Sequence, residues 1–205
     1  MLDKEKVLSG NQFNKYESQN IIVKYLMNNF LQSIRDFVGY CNPKNIHELG
    51  CGEGYLLNII RNSGYKISGS DYCDEIIKKA CEIANEKNLD STVFSVKNIY
   101  EIGSELKEFD LILCSEVFEH LHYPEKVMEK LSSNTSKYLI LSVPNEPLWR
   151  ILNLTRLTYI KDFGNTPGHI NHWSKSNFLN FVSKYFKIID SKSPLPWTIV
   201  LLKKY

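Results

Sequence analysis

The run Ile46-His47-Glu48-Leu49-Gly50-Cys51-Gly52-Glu53-Gly54-Tyr55 constrains this chain more than any other. Apolar residues lead into three alternating glycines, and a helix-like stretch follows. This is a strand that turns sharply into a helix, and a turn without side chains lets backbone N–H groups approach a ligand. Asp71 lies 19 residues after Gly52, at the end of a second strand-like run from Lys66. A glycine-rich strand–helix turn with an acid at that distance is a nucleoside-binding arrangement. The glycines admit the ligand, and the carboxylate accepts hydrogen bonds from a ribose diol.

The remaining pattern extends that unit. Strands are expected near residues 45–50, 66–70, 92–96, 109–114 and 137–143, and helices near 53–63, 74–88 and 124–133. Such alternation argues for a parallel sheet with helices on both faces. A further helix is expected over 16–38, with Ile22, Tyr25, Leu26, Phe30, Ile34 and Phe37 at helical spacing and Gly39 and Pro43 ending it. Another is expected over 174–184, capped by Ser174. Two last strands, near 186–192 and 197–203, are close enough to form an antiparallel hairpin. Residues 145–173 break the alternation and carry Trp149, Tyr159, Phe163 and Trp173. An insertion of that length in a compact domain reads as a lid or binding loop. Residues 1–205 are therefore expected to form one domain, with a helical N-terminal segment over 1–40 and a lid-like insertion over 145–173.

Composition narrows the class. With 205 residues, 43% hydrophobic and 23% charged, the chain suits a soluble α/β domain with a sizeable core. No apolar stretch approaches the roughly 18 residues that cross a bilayer. The start, with Asp3, Lys4, Glu5 and Lys6, holds no apolar signal core. Five cysteines show neither a CxxC pair nor a disulfide-framework spacing, and Cys51 and Cys114 read as small buried residues at strand ends. A cytoplasmic protein with reduced thiols is expected. Net charge is +2 but uneven: residues 1–144 hold 16 basic and 20 acidic residues, and 145–205 hold 9 and 3. Most of the late lysines read as a solvated surface. Arg150 and Arg156, two of the four arginines, are candidates for an anionic substrate group.

A dinucleotide fingerprint would place a third glycine inside the helix. Here the spacing is G-x-G-x-G, preceded by Glu48, which suits a ligand with a positive amino group. The pattern resembles the first motif of class I S-adenosylmethionine-dependent methyltransferases. That resemblance implies a Rossmann-like, seven-stranded, mostly parallel sheet with an antiparallel last strand, and S-adenosylmethionine as cofactor. Glu48, Gly50, Cys51 and Gly52 would hold its methionine end, Asp71 the ribose, and Tyr72 would pack near the adenine. Asn98, after the third strand, stands where the family reads the adenine amino group, usually with an aspartate. Ser115 and Tyr16 complete the cofactor set, Tyr16 as a residue that closes over it.

A second informative stretch runs from Phe109 to Leu121 and ends at the same sheet edge. Glu116, Glu119 and His120 are spaced i, i+3, i+4, and on a helical turn all three point one way. Two carboxylates and an imidazole so placed repel and desolvate one another unless a cation joins them. A divalent metal held by Glu116, Glu119, His120 and His169 is expected, with His172 as the runner-up for the last ligand. Mg²⁺, Mn²⁺ or Zn²⁺ suits a mixed carboxylate and imidazole site, Mg²⁺ least because it disfavours nitrogen.

The E-x-x-E-H motif resembles ubiquinone-biosynthesis O-methyltransferases. It is also similar to small-RNA 2′-O-methyltransferases, whose late histidine lies four residues before a tryptophan, as His169 does before Trp173. The resemblance covers about residues 45–175 and implies a metal that binds two substrate oxygens beside the methyl donor. Without a metal, His120 or His169 would be the catalytic base. His47 reads as structural and His122 as a residue of an exposed turn. Methylation of a small-molecule hydroxyl is the leading expectation. RNA 2′-O-methylation and a non-catalytic S-adenosylmethionine-binding module are the alternatives. The modest charge and few arginines weigh against a nucleic-acid partner.

Overall fold

The computed structural model describes residues 15–61, 64–88 and 90–205. Most of the segment expected to precede residue 16, and the last two residues of the helix expected over 53–63, lie outside them. Seven strands form one sheet: β1 (Asn45–Leu49), β2 (Lys66–Asp71), β3 (Phe94–Val96), β4 (Leu111–Ser115), β5 (Tyr138–Pro144), β6 (Lys187–Lys192) and β7 (Trp197–Lys203). Their order is β3-β2-β1-β4-β5-β7-β6. β1 to β5 pair in parallel, whereas β7 pairs antiparallel with both β5 and β6. The Rossmann-like sheet with an antiparallel last strand is therefore present.

Alternation along the strands divides the core. Ile46, Leu111, Leu113, Ile140, Ile199 and Leu201 face α1 (Ile21–Cys41), α2 (Tyr55–Ile60) and α3 (Asp74–Glu86). Ile112, Cys114, Leu139, Leu141, Val200 and Leu202 face α4 (Pro124–Asn134) and α6 (Lys175–Val182). Successive side chains of a strand point to opposite faces, so each strand feeds both layers.

α1 departs from its expected bounds and face. The Asn20 side chain accepts the N–H groups of Ile22 and Val23 and so starts the helix later than residue 16. The helix runs through Gly39 to Cys41, where Asn42 ends it in the left-handed region at φ 42°. Its buried stripe is Met27, Phe30, Leu31, Ile34, Phe37 and Val38, while Ile22 and Tyr25 are exposed. The strand expected from 92 begins at Phe94, because Asp90 caps a short 3-10 turn over Ser91–Val93. Ser174 caps α6 by accepting the N–H of Asn177, as expected. Among the described residues no helix is long and apolar enough to cross a membrane.

Residues 145–173 contain a helix that periodicity did not reveal, α5 (Leu148–Thr155). It is built inside out. Asn153 is buried and donates to the Gly164 carbonyl and to Thr166 Oγ1, while Ile151 and Leu154 are exposed. The segment is closed at its root, where the Glu146 N–H donates to the Trp173 carbonyl at 2.8 Å.

Candidate active site

The C-terminal ends of β1 and β2 form the first part of the site. After β1 the chain turns through Gly50 (φ 70°) and Gly52 (φ 53°), values that side chains rarely adopt. The N–H groups of Gly50 and Cys51 donate to the Ser70 carbonyl, at 2.7 and 3.0 Å, and fasten the turn to β2. A Cβ on Gly50 would stand 2.5 Å from Val117 Cγ2, whereas one on Gly52 would meet nothing within 4 Å. The turn is thus packed from behind and open in front, a cradle for a ligand. Asp71 is held by two backbone donors, Gly52 N–H to Oδ2 and Cys73 N–H to Oδ1, each at 3.1 Å. Its remaining lone pairs suit a diol.

Acids collect around this turn. Glu48 is buried, and its Oε2 has no hydrogen-bond partner. Burial first, and Asp71 second, push its carboxyl well above the usual range. A buried, unpartnered carboxyl of this kind fits a ligand ammonium. Glu53 is a second buried acid, approached by Lys79 Nζ at 3.5 Å, and sequence reasoning did not single it out. Tyr16 stacks on Tyr55, the first residue of α2, with ring centroids 5.4 Å apart and 11° between planes. Loss of solvent, then Glu116, Glu48 and Glu53, raise its hydroxyl well above its ordinary value. Tyr72 is exposed beside Asp71. The Asn98 side-chain oxygen accepts the Tyr100 N–H at 3.0 Å and caps its own turn, leaving a second lone pair for a ligand. Ser115 Oγ lies 2.8 Å from Ser142 Oγ.

The second part lies past β4. A 3-10 turn over Phe118–His120 carries Glu119 and His120. Glu116 precedes it in the left-handed region, at φ 56°, so the three residues do not share one helical face. Residues 168–171 are zipped onto this turn. His120 Nδ1 lies 2.8 Å from the Gly168 carbonyl, and the N–H groups of Ile170 and Asn171 donate to the Glu119 carbonyl. Asn171 Nδ2 donates to the carbonyls of Phe118 and Leu121. These bonds bring His169 to the site across 49 residues of sequence.

Ligand atoms of Glu119, His120 and His169 lie within 4.8 Å of one another. Glu119 is 1% exposed, and neither carboxylate oxygen has a hydrogen-bond partner. Burial, then Glu116, push its carboxyl well above the usual range. A carbonyl only accepts, so His120 donates from Nδ1, and Nε2 is the ring atom left for a ligand. Burial above all, with His120, His172 and Lys15 adding to it, lowers His169 to about 3 and keeps its ring neutral. Two imidazoles beside an orphaned buried carboxyl, one of them the neutral ring of His169, fit a divalent cation.

Other candidates are placed elsewhere. Glu116 is not part of that cluster; its Oε1 lies 2.5 Å from Lys15 Nζ. His172 Nδ1 lies 3.7 Å from Glu146 Oε1 instead. His47 is buried between Ser68 and Ser70, with ring nitrogens 2.7 and 3.1 Å from their hydroxyls, in keeping with a structural role. Arg150 Nε donates to the Phe163 carbonyl within its own segment. Trp173 packs in the core against Phe178 and Phe181, whereas Trp149 lies against Trp197 and His169.

Residues 25–185 match a family described as a methyltransferase domain. The chain belongs to that family of S-adenosylmethionine-dependent methyltransferases. This methyltransferase is 27% identical over 182 residues to a small RNA 2′-O-methyltransferase of Rattus norvegicus, covering 75% of this chain and 41% of that one. It is 21% identical over 154 residues to a ubiquinone biosynthesis O-methyltransferase of Coxiella burnetii (strain RSA 331 / Henzerling II), covering 68% and 64%. It thus spans under two thirds of either relative. Its fold resembles that of magnesium protoporphyrin IX methyltransferase from Synechocystis PCC 6803, solved with bound SAH. There the TM-score is 0.68 at 17% identity, over 92% of this methyltransferase and 89% of that chain.

Proposed function

We propose that this methyltransferase transfers the methyl group of S-adenosylmethionine to a hydroxyl of a small molecule, assisted by a divalent cation. The observation that carries the reading is Glu119, a buried carboxyl with both oxygens unpartnered, gathered with His120 and His169. The donor brings its own leaving group, so the protein has to position two reactants and manage one proton. In this reading Glu48 takes the donor's ammonium, the open turn at Gly52 its methionine end, and Asp71 its ribose. Tyr72 and Asn98 stand at the adenine end, Ser115 lies beside the donor, and Tyr16 covers it from above. Glu119, His120 and His169 hold the cation, and residues 145–173 shield the acceptor from water. A cation there would supply Lewis acidity that favours ionisation of the acceptor hydroxyl. The donor set, one carboxylate and two imidazoles, suits Mn²⁺ or Zn²⁺ better than Mg²⁺. His169 serves better as a ligand than as a base, because a ring lowered to about 3 accepts protons poorly.

A second reading, the 2′-hydroxyl of an RNA end, is favoured by the likeness to the small RNA enzyme of the rat. Both readings call for an acceptor with neighbouring oxygens. Calorimetric titration of metal-stripped protein with S-adenosylhomocysteine, then with Mn²⁺, Zn²⁺ and Mg²⁺, tests the site. Cofactor heat followed by cation heat that disappears in Glu119→Gln is the expected result. Cofactor binding with no cation heat, and undiminished transfer by Glu119→Ala, would end the cation reading. Absence of cofactor binding would end both.

A further inference from the structure

We propose that Lys15 is a tethered counter-cation of the acceptor site, and that its ammonium and a divalent cation exclude one another there; this rests on the cation site proposed above. Lys15 and Glu116 are 101 residues apart in sequence, yet Nζ lies 2.5 Å from Oε1. Both side chains are only 16% exposed, so this is no surface pair screened by solvent. The ammonium also sits 5.6 Å from the Tyr16 ring centroid and 5.7 Å from that of Trp197, within cation–π range of both. It is thus held by one carboxylate and two aromatic faces.

Its field extends to the cluster. The positive charge of Lys15 acts on Glu119, where it opposes the effect of burial, and on His169. Glu116 in turn acts on Glu119 from the other side. Two carboxylates and an inserted ammonium therefore form one electrostatic unit with the two imidazoles. A divalent ion joining Glu119, His120 and His169 adds two positive charges beside a fixed one in a poorly solvated place, where like charges repel strongly. The ammonium leaves as the ion enters, and Glu116, released from Lys15, becomes available as a further oxygen donor. Lys15 directly precedes Tyr16, which stacks over the head of α2.

The test compares wild type with Lys15→Met, both stripped of metal and loaded with S-adenosylhomocysteine, whose binding certifies that the variant is folded. Calorimetry with Mn²⁺ is expected to give a dissociation constant about tenfold lower for Lys15→Met, because the competing charge is gone. In wild type, labelling of amines by an acetylating reagent, read by mass spectrometry, is expected to modify Lys15 several-fold faster once Mn²⁺ saturates the site. Equal Mn²⁺ affinity in the two proteins, or Lys15 labelling that does not respond to bound Mn²⁺, would overturn the exclusion and leave the cation site standing. No Mn²⁺ binding by either protein would remove the cation site itself, and the exclusion with it.

Discussion

The two ends of the site share one sheet edge but are built by different means. The cofactor end is made of backbone: the turn through Gly50 and Gly52, tied to Ser70, and Asp71, tied to Gly52 and Cys73. This part of the proposed cofactor end lies within residues 48–73, on two adjacent parallel strands, and Tyr16, Asn98 and Ser115 join it from other segments. The proposed acceptor end is made of side chains from distant segments, Glu119 and His120 on one and His169 on the other, joined by the bonds of residues 168–171 to the 3-10 turn. Backbone cradles built on strands leave little room for variation. A side-chain cluster hung on a long connection can change its chemistry without disturbing the sheet.

If the two ends are separable, each should fail alone. The largest effect is expected from Asp71→Ala. It removes two charge-assisted bonds that order the turn as well as the proposed ribose contacts, so S-adenosylhomocysteine affinity should fall by about two to three orders of magnitude. Mn²⁺ affinity, measured on the same variant, should move less than about threefold. A parallel loss of both would show the ends to be one unit.

Acid should attack the fold at two buried imidazoles, His47 in β1 and His169 at the proposed acceptor end. Burial lowers His47 to about 4 and His169 to about 3, from 6.5. Each ring binds its proton more weakly folded than unfolded. Stability is therefore full above pH 6.5 and is lost as pH falls through the folded values. The share of His47 is about 3 kcal/mol by pH 4, an upper figure. Denaturant titrations at pH 7 and pH 4 on wild type and His47→Gln measure it; an unchanged pH slope in the variant would assign the whole effect to other groups.

Glu119→Gln keeps shape and removes the anionic ligand. Mn²⁺ affinity should fall at least about tenfold, with S-adenosylhomocysteine binding unchanged, which is the mirror image of Asp71→Ala. The smallest effect is expected from Trp149→Phe. It deletes the bond from Nε1–H to Thr166 Oγ1, 2.9 Å long, behind His169. A stability loss of about 1 kcal/mol and a Mn²⁺ affinity lowered by a few-fold would follow. An unshifted denaturation midpoint would show that Trp149 serves no such support.

This division also explains what could be read from the chain alone. The glycine turn, Asp71 and most strand positions follow from local spacing and alternation, whereas the sheet's antiparallel ending followed from the resemblance and its strand order only from the structure. Glu119, His120 and His169 were legible as residue types, but their grouping without Glu116 was not. A left-handed residue at Glu116 breaks the helical spacing on which that expectation depended. Lys15 carried no signal, since an ion pair spanning 101 residues leaves no periodic trace. α5 was missed because it is only eight residues long, too short for helical spacing to stand out from the connection around it. The early start expected for α1 failed because Asn20 caps the helix, and the apolar positions that support it all lie after that residue.

The hydrogen bond between Glu146 and Trp173 has a further consequence. It brings the two ends of a 28-residue excursion together, so the sheet sees only a short bridge and the entropy of closing the excursion is set at its root. Between those two residues the segment touches the sheet through Trp149, which packs on Trp197 of β7. Such a segment behaves as a cassette. On that root its length can change with little change in the entropy of closing it, because that cost grows only slowly with length.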